Sequence, residues 1–320
     1  SCSSTRLYSG KLNCILENLA EHLSAYYVAL FFKNTSYAKD SVFMMMLMVV
    51  IAGCGFSEKK AEQKLTVAVT IVPEKTFVEA VCGDAVDVVV MVPPGNSPAN
   101  YEPTPKEMEK FNKAKLYFAV GVPTEAATIL PKAVQLEKLK LVKLQEETKK
   151  EYPDVVLPNG KRDPHIWLSP KRAKVMVDII AKEMGKIDAA NKEKYEKNAQ
   201  AYKVKLDLVD QELQKAFAQT KTKKFIVFHP AFGYLAADYG LEMIALEENG
   251  KEATPKRLQD VISLAKKEEI KAVFYQAEIA SKQSEALARE IGGKTVQLEP
   301  LAADYIGNLR KMAKLMGEAL

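Results

Sequence analysis

Two consecutive α/β units joined by one long helix are what this chain predicts, and three observations carry the prediction. Short runs rich in β-branched residues, apolar on both faces, alternate with helical segments in 65–144. The same alternation returns in 225–298. Between the two sets, the stretch from Asn191 to Gln219 contains neither Gly nor Pro. Strands apolar on both faces belong to parallel sheets covered on both sides, so each set implies a parallel-sheet lobe.

The elements follow in order. Residues 65–72 read as a strand ending at Pro73, 74–82 as a helix and 86–92 as a second strand. A polar helix begins after Thr104, which can cap it, with Pro105 in its first turn. Residues 116–120 and 139–144 complete the first sheet, and 225–229, 241–246, 271–276 and 294–298 form the second. On the linking helix, Tyr195, Ala199, Tyr202, Leu206, Val209, Leu213 and Ala216 recur at steps of three and four, which keeps them on one face. A helix spanning two lobes resists bending, because bending breaks its backbone hydrogen bonds, so small lobe motions are expected. The expected division is 64–190 for an N-terminal lobe, 191–222 for the linking helix and 223–320 for a C-terminal lobe.

The N-terminal stretch speaks to compartment. Residues 42–52 form an uncharged apolar run, the length of a signal-peptide core and too short to cross a bilayer. Lys33 and Lys39 precede it, and Ile51, Ala52, Gly53 and Cys54 close it. This resembles the bacterial lipoprotein signal, in which a thiol after small residues is acylated and becomes the new N-terminus. Residues 1–53 are therefore read as an upstream segment plus signal. Cys54 is read as the lipid anchor to a membrane, and 54–63 as a hydrophilic tether. Of the four cysteines, Cys2 and Cys14 precede that boundary, and Cys82 is left alone in the folded part as a small buried hydrophobe. The formal net charge is +5, but lysines are interleaved with glutamates and no basic stripe carries aromatic residues. Nucleic-acid binding is not supported.

Three histidines occur in the chain, and two sit where ligands gather in parallel α/β folds. His229 closes the apolar run 225–229, and His165 lies in a Pro-flanked segment at a helix start. The loop 93–105 is stiffened by prolines, and Glu299-Pro300 follows the last strand.

Four segments carry a family resemblance. Pro93-Pro94-Gly95-Asn96-Ser97-Pro98-Ala99-Asn100-Tyr101-Glu102-Pro103-Thr104 resembles a Pro-Pro-Gly-x-x-Pro-His-x-Tyr-Glu-Pro-Thr motif, with Asn100 read as the counterpart of the motif's histidine. Asp163-Pro164-His165-Ile166-Trp167-Leu168-Ser169-Pro170, Phe228-His229-Pro230-Ala231-Phe232 and Leu298-Glu299-Pro300-Leu301 match three further motifs. Together they make residues 64–320 resemble the cluster A-I metal-binding lipoproteins, solute-binding subunits of zinc and manganese ABC importers.

The resemblance implies two α/β lobes on a rigid helix with a divalent metal, Zn(II) or Mn(II), as cargo in the cleft. It implies His165, His229 and Glu299 as ligands, and Asn100 as an oxygen donor or the holder of a bound water. Tyr101, Glu102, Gln276 and Glu278 are expected to support the site from behind. The implied partner is a membrane permease of an ABC importer, the chain acting as a monomer and not as an enzyme. The segment between Glu146 and Asp163 contains no histidine-rich loop of the kind that zinc-specific relatives often carry. Two alternatives stay open. A relative with an altered or lost metal site could receive another solute or act as an adhesin. A metallohydrolase could use two histidines and a carboxylate to activate water, although no His-Glu-x-x-His helix is present.

Overall fold

The computed structural model describes residues 64–247, 250–279 and 282–320. The signal, Cys54 and the tether lie outside the described residues. Among the described residues, no helix is long and apolar enough to cross a membrane.

The first sheet contains β1 (Leu65–Val69), β2 (Val86–Val90), β3 (Leu116–Ala119) and β4 (Lys140–Lys143) in the order β2-β1-β3-β4. The second contains β5 (Lys224–Val227), β6 (Glu242–Ala245), β7 (Ala272–Gln276) and β8 (Lys294–Leu298) in the order β6-β5-β7-β8. All six strand pairings are parallel. Each sheet thus changes winding direction at its first strand, and such switch points form crevices beyond the strands' carboxyl ends. The expected strand positions agree with these. The strand expected to close at His229 stops at Val227, leaving His229 in the loop beyond.

Alternation along the strands explains the layering. Val67 and Val69 point into the large central core while Ala68 packs on the outer side with Met91 and Phe111. In the second sheet, Phe225 and Val227 join the central core, while Ile226 and Phe228 pack outward with Val261 and Leu287. One central core therefore runs through both sheets.

Helices fill the layer between them: α1 (Val72–Cys82), α5 (Pro170–Ile187), α6 (Lys192–Ala218) and α10 (Tyr305–Gly317). The remaining helices, α2 (Pro105–Phe111), α3 (Leu130–Ala133), α4 (Leu144–Thr148), α7 (Gly233–Tyr239), α8 (Pro255–Lys267) and α9 (Lys282–Glu290), complete the covering. Thr104 caps α2 as expected, accepting from the Glu107 N–H while Glu107 reaches back to the Thr104 N–H at 2.7 Å. The 27-residue α6 buries Tyr195, Ala199, Leu206, Val209, Leu213 and Phe217 and packs on α1, α5 and α10. Most of the expected stripe is buried, and Tyr202 and Ala216 are partly covered. Cys82 is fully buried, and burial pushes its thiol up to about 12.

Side chains also stitch the sheets' two sides together. Thr76 Oγ1 donates to the Ala303 carbonyl at 2.7 Å, and Trp167 Nε1 donates to the Pro300 carbonyl at 2.8 Å. Tyr305 Oη donates back to the Trp167 carbonyl at 2.5 Å. Arg172 pairs with the buried Asp238 at 2.9 Å. A charged pair this dry resists separation, since opening would strand either charge.

Candidate metal centre

The carboxyl ends of both sheets face a cleft of about 440 Å³ whose lining includes His165, Trp167, His229, Glu247, Gln276 and Arg162. His165 stands just before a tight 3₁₀ turn, Ile166–Leu168, all of it buried. Ser169 then caps α5, accepting from the Arg172 N–H, and Pro170 starts that helix. The turn is held by its neighbours. Asp163 Oδ1 accepts from the His165 backbone N–H at 2.9 Å and from His165 Nδ1 at 2.7 Å. Asp163 is fully buried. The Trp167 ring packs against the His165 ring at a centroid distance of 5.3 Å. Burial lowers the pKa of His165 against the opposing pull of Asp163, which favours the neutral, metal-ligating form.

His229 arrives from the other sheet. Its Nδ1 lies 2.8 Å from Glu247 Oε2. A carboxylate can only accept, so each Nδ1 carries the hydrogen and each Nε2 is left as a lone-pair donor. The two Nε2 atoms face each other at 3.4 Å, with the rings nearly perpendicular at 79°. Zn–N bonds of about 2.0–2.1 Å at a tetrahedral angle put two nitrogens about 3.3–3.4 Å apart, a separation that the observed gap matches.

The neighbouring wall is shaped by a buried acid. Glu125 accepts from the Val120 and Gly121 N–H groups at 2.9 and 2.8 Å and from Thr70 Oγ1 at 2.6 Å. Glu74 accepts from the Thr70 and Ile71 N–H groups at 2.9 and 3.0 Å. Burial raises both carboxyls above their ordinary value, and Glu125 adds to the rise at Glu74. Arg162 donates to the Gly121 carbonyl at 2.5 Å. Gly121 holds φ at +84°, a conformation that other residues rarely adopt, and a Cβ there would have to displace that guanidinium, 2.2 Å away.

The remaining expected residues separate into groups. Gln276 lines the cleft at the end of β7, its buried Nε2 without a hydrogen-bond partner. Glu299 and Asn100 do not join the two histidines. The Glu299 carboxylate pairs with Lys311 of α10 at 3.2 Å on the surface. Asn100 is exposed; counted along the motif, the histidine position falls one residue earlier, at Ala99, which lines the cleft with Ser97 and Pro98. Tyr101 supports its loop by donating to Glu107 at 2.9 Å, and Glu102 is exposed. Glu278 falls beyond β7, which stops at Gln276, so strand periodicity does not carry it to the cleft. Among the described residues, no three His, Cys, Asp or Glu side chains converge on one point. Sequence reasoning missed Glu247 and Arg162. The signal for Glu247 was its place just past a strand adjoining the strand that leads to His229.

Two parallel-sheet lobes about a shared helix, with paired imidazoles between the sheet ends, define a cleft protein of the two-lobed solute-binding class. The chain belongs to the family described as zinc-uptake complex component A, periplasmic, whose pattern it matches over residues 67–319. It is 32% identical over 271 residues to the high-affinity zinc uptake system protein ZnuA of Bacillus subtilis, covering 79% of this chain and 85% of that one. It is 30% identical over 281 residues to the zinc-binding lipoprotein AdcA of Streptococcus pneumoniae, covering 82% of this chain and 55% of the relative. The chain thus spans about half the length of AdcA. A crystal structure of a ZnuA superposes with a TM-score of 0.75 at 34% identity, over 80% of this chain and 99% of that one.

Proposed function

We propose that this chain is an extracytoplasmic receptor that captures Zn(II) and delivers it to the permease of an ABC importer, with zinc as cargo and no reaction catalysed. The observation that carries the reading is the pair of inward Nε2 atoms at 3.4 Å, the edge length of a zinc tetrahedron. The names of the ZnuA and AdcA relatives, both zinc proteins, support zinc over manganese. His165 and His229 are the nitrogen donors in this reading. Glu299 supplies an oxygen by leaving Lys311, since an exposed pair of that kind is worth only about 0–1 kcal/mol. Asn100 acts through a bound water. Residues 64–190 and 223–320 serve as the lobes and 191–222 as the strut between them.

A shared core and a 27-residue strut argue against a wide hinge. Release then proceeds by movement of the cleft loops. Lipid on Cys54 would hold the monomeric receptor beside its permease, raising its effective concentration there. Titration calorimetry of chelator-stripped protein tests the reading. One zinc ion binds tightly to the parent protein, and a variant with alanine at both histidines loses that binding. Unchanged affinity in the double variant overturns it.

A further inference from the structure

We infer that Glu247 is a positioning residue: it fixes His229 in the tautomer that aims Nε2 at His165, and so builds half of the metal site without touching the metal. The inference rests on the metal-receptor reading and adds a residue to it.

The geometry starts in the backbone. β6 runs beside β5 in parallel register, with Val227 opposite Ala245. The ladder continues past both strand ends, because the Leu246 N–H donates to the Val227 carbonyl and the Glu247 N–H to the Phe228 carbonyl, each at 2.9 Å. Glu247 is therefore tied to the residue before His229 by the sheet itself. Its side chain then reaches the imidazole, with Oε2 at 2.8 Å from Nδ1. Both side chains are largely covered, at 10% exposure for Glu247 and 15% for His229.

Neutral imidazole in water prefers its hydrogen on Nε2. That tautomer would put an N–H where the site needs a lone pair. A buried carboxylate at Nδ1 reverses the preference, since it cannot donate and is left unpaired unless Nδ1 carries the hydrogen. His165 has the equivalent partner in Asp163, but that carboxylate sits two residues away and also holds the backbone. For His229 the only carboxylate bonded to the ring among the described residues is Glu247.

The chain labelled with ¹⁵N at histidine gives the test, since its three histidines can be assigned one by one. In the metal-free parent, His229 shows its hydrogen on Nδ1. Glu247→Ala moves it to Nε2 and weakens zinc binding by about 10–100-fold, the range for loss of a partner behind a metal ligand. Glu247→Gln, whose amide oxygen still accepts, keeps the Nδ1 hydrogen and most of the affinity, at an unchanged melting temperature. Three results overturn the inference. They are a parent without the Nδ1 hydrogen, a Glu247→Ala protein that keeps either the tautomer or the parent's affinity, and a Gln variant as weak as the Ala variant. The tautomer is read without metal. A parent that takes up no zinc would therefore defeat the receptor reading, while the spectra still decide the role of Glu247.

Discussion

The two halves of the imidazole pair are built by different means. His165 is held by residues adjacent in sequence: Asp163 grips both its backbone and its ring, and Trp167 packs beside it. His229 is held by Glu247, eighteen positions away and brought near by strand pairing. The first arrangement is a local motif that forms wherever its turn forms. The second exists only once the sheet has formed, and it is the more exposed of the two.

That contrast predicts unequal costs of removing the rings. In metal-free protein, His165→Ala leaves the fully buried Asp163 with one fewer partner, and its Oδ2 already has none. Thermal or urea melts should show a loss of about 2–3 kcal/mol, the scale of a hydrogen bond to a buried charge. His229→Ala frees a carboxylate nearer to water and should lose about 1 kcal/mol. Equal losses would break the distinction between a locked side and a supplied side.

A second measurement sharpens it from the opposite wall. A Cβ at Gly233 would come within 2.3 Å of Asp163 Oδ2. Asp163 is short and enclosed, so Gly233→Ala should destabilise by about 1–2 kcal/mol and also weaken zinc binding through His165. A stable variant with parent affinity would mean that the grip of Asp163 on His165 tolerates displacement.

Acidity tests the buried support of the same side. Glu74 has a folded-state pKa well above the ordinary 4.5, mainly from burial. Its protonated form therefore contributes stability fully present below pH 4.5, and that contribution fades as pH rises through the folded-state value. Glu74→Gln keeps an acceptor for the Thr70 and Ile71 N–H groups and removes the charge. The fall in melting temperature above pH 4.5 should become shallower, with a gain of about 1 kcal/mol or less near neutrality. An unchanged pH profile would assign the slope to Glu125.

The smallest effect belongs to the Glu299 side. Lys311→Ala should change stability by well under about 1 kcal/mol, because the pair with Glu299 is exposed. If Glu299 leaves Lys311 to reach the metal, the same variant should bind zinc at least as tightly as the parent. Weaker binding would show that Lys311 helps to aim the carboxylate.

Much of this could be read from the order of residues, for physical reasons. Burial on both faces writes β-branched runs into the chain, so the strands of both sheets were legible, and β8 falls where it was expected. The stripe on α6 was legible because one face of a helix repeats every three to four residues. His165 was legible because its turn is local. Glu299 is the opposite case: its motif pointed to the metal, while in the structure its side chain answers to Lys311, a neighbour set by how α10 packs. Glu278 depended on how far β7 runs, and strand ends follow from pairing with neighbouring strands more than from residue type.

The two parallel-sheet lobes and the strut between them could be read from residue order, and so could the placing of His165 and His229 at the ends of structured segments, because periodicity and local turns are properties of neighbouring residues. The folded chain alone sets the 3.4 Å between the Nε2 atoms and brings Glu247 behind His229. It also decides that one core runs through both lobes. Those facts depend on the register of β5 against β6 and on how the helices stack around α6, and no short stretch of chain contains either.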